Sequence, residues 1–92
     1  MIHELLSVGE NNARTCNELA KVLNMEPRDV RQAIRLERLN GALICGNGKG
    51  YYLPENENDV TRSIMRLVNT GKATLQVANA MKKNAKKGVN NE

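Results

Sequence analysis

Between residues 15 and 39 apolar side chains recur at three- and four-residue steps, in two runs with a break between them. Leu19, Ala20 and Leu23 make the first run. Val30, Ala33 and Ile34 make the second, and Leu39 is expected to join their face. Residues so spaced share one face of an α-helix, so the pattern predicts two short helices with buried stripes. The first starts at Thr15, where Thr15 and Glu18 fit a capping box: the Thr hydroxyl accepts from the backbone three residues on, and the Glu reaches back. It should stop near Asn24. Asn24, Met25 and Glu26 then make a tight turn, with Met25 expected to plug into the core between the helices. Pro27 suits the first turn of the next helix, and Gly41 suits the position just past its end. The product is helix, turn, helix.

After Gly41 the period changes. Ala42, Leu43, Ile44 and Cys45 are β-prone, as are Tyr51, Tyr52 and Leu53. Between them lies a turn containing Gly46, Gly48 and Gly50, and Pro54 closes the second run. This is the turn chemistry of a β-hairpin. Ahead of the pair of helices, residues 1–10 read as a short first helix with Ile2, Leu5 and Leu6 as its stripe. Residues 9–12 read as a loop.

Residues 55–92 are again helical in pattern. Asn56 or Asn58 can cap the start, where Glu57 and Asp59 suit the helix dipole. Val60, Ile64, Leu67, Val68, Leu75, Ala78 and Met81 fall near one stripe, interrupted at Gly71. Either one helix runs to about Lys83, or two helices break at Thr70 and Gly71; the single helix is preferred. About 25 residues of helix would span about 38 Å, more than the preceding unit needs. The overhang would expose apolar side chains, among which Ile64, Leu67, Leu75 and Ala78 are candidates for a dimer contact with a second copy. The alternative is that Leu75, Ala78 and Met81 fold back on the first helix. Lys82, Lys83, Lys86 and Lys87 form a basic end, followed by a tail expected to be disordered. The expected organisation is 1–54 as one domain, 55–87 as a helical extension and 88–92 as the tail.

Composition sharpens this picture in three ways. The chain has 92 residues, no Trp, no Phe and two Tyr, so its modest core must be aliphatic. The net charge of +4 is unevenly spread: residues 1–26 carry −2 and residues 27–52 carry +3. Positive charge thus gathers on the second helix and the hairpin, which favours an anionic partner. Cys16 and Cys45 have no metal-site or redox spacing and read as small reduced hydrophobes. No stretch approaches a membrane span, and the N-terminus lacks the regions of a signal peptide, so a cytoplasmic protein is expected.

A helix-turn-helix followed at once by a hairpin is a winged helix. The residues that carry the resemblance are Glu18, Leu19 and Ala20, Leu23 and Met25, Val30 and Ile34, Arg38 three before Gly41, Ile44, and the run from Gly50 to Pro54. In these the chain resembles the winged helix-turn-helix domains found at the N-terminus of the biotin repressor and in small proteins of phages and prophages. One position departs: many such domains have an apolar residue four before the helix-ending glycine, where this chain has Glu37. The resemblance implies a mainly α fold with a small β-hairpin, and a small bacterial or phage regulator of transcription or replication.

The second helix of such a unit typically lies in the DNA major groove. Arg28, Arg31, Gln32 and Arg35 share its exposed face. Arg can donate twice to guanine and Gln can pair with adenine, so Arg31, Gln32 and Arg35 are expected on base edges and Arg28 on a phosphate or on Asp29. In the hairpin turn, Asn47 and Lys49 are contact candidates, and Asn17 can meet a phosphate at the start of the first helix. Tyr51 and Tyr52 are expected to pack the wing. Arg38, beside Glu37 and with Glu4 or Glu10 as further candidate partners, could equally be a structural salt bridge, and it stays outside the first rank of contacts. His3 has no companions for a metal and reads as an ordinary surface or boundary residue. No nucleophile, carboxylate pair or metal cluster points to an enzyme, and no cofactor or small-molecule substrate is evident. The expected activity is sequence-specific binding of double-stranded DNA by a homodimer. The alternative is a winged-helix adaptor that binds protein and has no DNA specificity of its own.

Overall fold

A computed structural model describes the backbone of residues 1–90 and the side chains of residues 1–85. It is mainly helical, with one small antiparallel hairpin and a long C-terminal helix. The order is α1 (Cys16–Leu23), α2 (Pro27–Leu39), β1 (Cys45–Gly46), β2 (Tyr51–Tyr52) and α3 (Glu57–Asn90), preceded by 3₁₀ turns at Ile2–Leu5 and Glu10–Asn12.

Helix α1 begins with the capping box that its sequence carries. The Glu18 amide donates to Thr15 Oγ1 at 3.1 Å, and the Thr15 amide donates to Glu18 Oε1 at 3.4 Å. Asn24 ends it in the left-handed conformation, φ 53°, which Asn tolerates better than most residues. Pro27 opens α2. At its other end the Ala42 amide donates to the Glu37 carbonyl at 2.9 Å and the Gly41 amide to the Arg38 carbonyl at 3.1 Å. With Gly41 at φ +105° this is a Schellman cap, which closes the last carbonyls of the helix.

One core forms where α1 crosses α2. Leu19, Ala20, Val30 and Ile34 are buried there with Ile2, Leu6 and Ile44. Two expected core residues are absent from it. Leu39 is 69% exposed and Met25 lies at the surface. Leu39 stands nine residues after Val30, and at ~100° per residue that is the opposite side of the helix. The space between α1 and α2 is already filled by Leu19, Ala20 and Val30, so Met25 stays in the turn.

The N-terminal segment departs from the expected helix. In place of one helix over residues 1–10 there are two 3₁₀ turns, Ile2–Leu5 and Glu10–Asn12, the second within the stretch expected as a loop. Between them, sheet bonds draw the chain out straight: the Leu53 amide donates to the Ser7 carbonyl and the Gly9 amide to the Leu53 carbonyl. Farther along, Arg14 and Tyr51 exchange both backbone bonds, at 2.8 and 2.9 Å. The outer side of β2 is therefore paired, while its inner side pairs with β1 in the register Cys45 to Tyr52 and Gly46 to Tyr51. Gly50 allows this approach, since a Cβ there would lie 2.8 Å from the Arg14 carbonyl oxygen.

Helix α3 is capped by Asn56, whose Oδ1 accepts from the Asp59 amide at 3.0 Å. It is held to the hairpin by Ser63, whose buried hydroxyl accepts from the Gly46 amide at 3.2 Å. The helix then continues through Gly71 without a break and runs past Lys83 to Asn90. It thus takes in residues 88–90 of the expected tail; residues 91–92 lie outside the described residues. Every residue from Ile64 to Ala85 is exposed, so Leu75, Ala78 and Met81 do not fold back on the N-terminal segment. Among the described residues no helix is long and apolar enough to cross a membrane.

Candidate nucleic-acid interface

The same periodicity that buries Val30 and Ile34 turns Arg28, Arg31, Gln32 and Arg35 outward. All four are exposed, and with Asp29 they line one shallow open surface on the first half of α2. Among the described residues none of these arginines takes part in an ion pair; Arg28 does not pair with Asp29. An exposed helix face usually offsets its cations with carboxylates three or four residues away. Here the offset is incomplete. Of the two acids in residues 27–52, Glu37 faces inward, which leaves the outer surface more positive than the count of charges suggests.

Glu37 explains the departure from the apolar pattern. It lies seven residues after Val30, hence on the buried line of α2, and is 8% exposed. Its carboxylate accepts from the Ile2 amide at 2.8 Å, from the His3 amide at 3.1 Å, and meets His3 Nδ1 at 2.6 Å. Burial pushes its pKa up, but the His3 side chain and the two amides outweigh burial and hold it below the ordinary carboxylate value. His3, half-buried at the boundary, thus docks the N-terminal turn onto α2.

Arg38 has a structural role, and among the described residues its partners are a carbonyl and a ring, not a carboxylate. Its Nε donates to the Ile44 carbonyl at 2.9 Å, and its guanidinium stands 5.7 Å from the centre of the Tyr51 ring. A cation over an aromatic face at that distance is attractive. The end of α2 is thereby tied to the hairpin, and Tyr51 is fixed as a packing residue. Tyr52 is buried, and burial first, then the Glu10 carboxylate, raises its pKa.

The hairpin turn divides its two contact candidates. Lys49 is exposed at the tip. Asn47 builds the turn instead: its Oδ1 accepts from the Lys49 amide at 2.9 Å and from the Gly50 amide at 3.0 Å, and its Nδ2 donates to Glu10 Oε2 at 2.9 Å. Glu10 also pairs with Arg62, which holds Asp59. The Glu55 amide first, then Arg62, keeps Asp59 below its usual pKa. This network joins the Glu10–Asn12 turn, the hairpin and the first turn of α3. Asn17 is exposed on the first turn of α1, while Thr15 is engaged in the cap.

The geometry thus assembles Arg28, Arg31, Gln32 and Arg35 on one surface, with Lys49 on the hairpin. Sequence reasoning did not single out Arg66, whose guanidinium lies against Gly48 in the hairpin turn. No local pattern signals that contact, because it depends on the path of α3 past the hairpin. Ile64, Leu67, Leu75 and Ala78 are exposed on α3. Among the described residues no group of three or more His, Cys, Asp or Glu is placed to hold a metal ion. Comparison with protein-family models, curated proteins and solved structures finds no match to this chain.

Proposed function

We propose that this chain is a winged helix-turn-helix protein that binds double-stranded DNA in a sequence-specific manner, as a small bacterial or phage regulator of transcription or replication. In this reading α2 enters the major groove and the hairpin rests on the backbone. The observation that carries it is the outward half of α2, where three arginines and a glutamine stand together with no ion-pair partner among the described residues. A major groove about 12 Å wide admits an α-helix, and the guanidinium and amide groups match base edges there. Lys49 at the hairpin tip and Asn17 on α1 are suited to phosphates on either side. The same reading has the protein act as a homodimer through α3, inside a bacterial cell or an infected host.

The decisive variant is Arg31→Ala with Arg35→Ala. Both side chains are exposed, so the fold should survive, as checked by circular dichroism. Each bidentate base contact is worth about 1–3 kcal/mol of discrimination. The double variant should therefore lose at least tenfold in affinity for a duplex selected from a random pool. Equal binding by parent and variant would sink the proposal.

A second reading is favoured by the exposed apolar side chains of α3: a winged-helix adaptor that docks another protein. The two separate on a salt titration of duplex binding. Binding through several phosphates predicts a steep loss of affinity with salt, whereas the adaptor predicts no salt-dependent DNA affinity at all.

A further inference from the structure

A cleft of about 360 Å³ opens where α2, the hairpin turn and α3 meet. Arg31 and Arg38 reach it from α2, Lys49 from the turn and Arg66 from α3, and among the described residues no carboxylate lines it. The four cations differ in what they do. Arg38 is held by the Ile44 carbonyl and Tyr51. Arg31, Lys49 and Arg66 have no ion pair and no side-chain hydrogen bond among the described residues. The hairpin turn lies against Arg66. Gly48 has φ +86°, a conformation that favours glycine, and a Cβ at Gly48 would collide with the Arg66 guanidinium. The Arg66 guanidinium thus lies close to the turn backbone at Gly48 and lines the same cleft as Lys49.

Unpaired cations gathered around a cleft repel one another, and an anion between them removes that cost. A guanidinium fork beside an ammonium suits the oxygens of a phosphate. We propose that this cleft holds one backbone phosphate of the duplex, with Arg66 as its ligand from α3 and Lys49 on its flank, while Arg31 at the rim keeps its base-edge role. The assignment rests on the DNA-binding reading and adds to it a contact from outside the helix-turn-helix and hairpin. A strand passing between α2 and the hairpin carries a phosphate about every 3.4 Å of helix axis, so one phosphate falls at the cleft in any sequence register. The contact therefore contributes affinity and orientation without sequence preference.

The test is a duplex-binding titration by fluorescence anisotropy across a series of salt concentrations, with the parent chain, Arg66→Gln and Arg66→Lys. Arg66→Gln should weaken binding by roughly three- to tenfold, equally on selected and unrelated duplexes. It should also lower the slope of log affinity against log salt by about 0.9, the value of one phosphate contact. Arg66→Lys should restore the slope. If Arg66→Gln does not fold, Arg66→Met keeps the apolar stem without the charge and carries the same expectation. A parent that binds steeply with salt, with a neutral Arg66 variant that matches it, overturns the cleft assignment and leaves the DNA reading standing. A parent with no salt-dependent DNA binding overturns both. Inorganic phosphate is titrated separately against the parent's thermal melt. Saturable stabilisation that Arg66→Gln abolishes, with DNA affinity unchanged, would overturn the assignment by making the ligand a free phosphate.

Discussion

A carboxylate on the buried line of a helix is costly unless every bond it wants is made. Glu37 meets that condition with three partners, two of them backbone amides at the first turn of the chain, where a helical start leaves donors without intrahelical acceptors. Its role is to hold the N-terminal turn on α2. Glu37→Gln keeps the shape but loses the charge and turns an acceptor into a donor. Bonds to a charged group contribute about 1.5–3 kcal/mol, so the variant should unfold at lower urea with ΔG reduced by about that amount at neutral pH. The pH dependence follows from the lowered folded-state pKa. The contribution is complete above the ordinary value of 4.5 and is lost as pH falls from there through the folded pKa, where the native carboxylate takes up its proton. Asp59, also lowered, adds to the acid lability. The part that disappears in Glu37→Gln belongs to Glu37, and stability curves that coincide from pH 7 to 3 would deny it this role.

At the scale of elements, what the chain announces locally is what appears. Thr15 and Glu18 form the box that their spacing predicts, Pro27 and Gly41 bound α2, and Asn56 caps α3. Such signals need only neighbours within four residues. The readings that failed depend on distant partners. Residues 1–10 carry a helical stripe, yet Ser7 and Gly9 are drawn out by Leu53, more than forty positions away in sequence. Asn47, a contact candidate, also carries two bonds within its own turn and one to Glu10 far back in the chain. At the candidate interface, the exposure of Arg28, Arg31, Gln32 and Arg35 follows from the helical period and was legible. The place of Arg66 was not, because it depends on how α3 crosses the hairpin. Gly50 marks a close approach to the backbone of a distant segment. In Gly50→Ala the new methyl would press on the Arg14 carbonyl and open the pairing of Arg14 with Tyr51. Overpacking of this kind costs about 1–3 kcal/mol, read as a lower Tm in a thermal melt. An unchanged Tm would mean that the segment at Arg14 yields without loss.

For the whole molecule the governing feature is α3. The longest dimension, 55 Å, is about the length of this one helix, since 34 residues at 1.5 Å each give about 51 Å. Past Ser63 it leaves the core, and a helix without tertiary contacts is marginal in water. Gly71 weakens it by about a further 1 kcal/mol relative to alanine. Ile64, Leu67, Gly71, Leu75 and Ala78 nevertheless recur along it at three- and four-residue steps, with Leu75 60% exposed. The charge along the helix is polarised: Glu55, Glu57 and Asp59 stand at its beginning, and residues 60–90 contain seven Lys and Arg and no acid. An antiparallel second copy would set the basic half of one helix against Glu55 and Glu57 of the other while covering both stripes. The chain is therefore expected to sediment at twice its mass of 10.2 kDa. Leu75→Lys puts a charge into the middle of the stripe. It should return the protein to the single-chain mass, and far-UV circular dichroism should report less helix as the uncovered end frays. A parent that sediments as one chain at every concentration, or a Leu75→Lys variant with the parent's mass, would rule out this pairing. The duplex supplies an independent readout. A two-fold dimer selects half-sites related by a dyad, so the parent should enrich palindromes from a random pool, and Leu75→Lys should bind a single half-site with the same base preference but lower affinity.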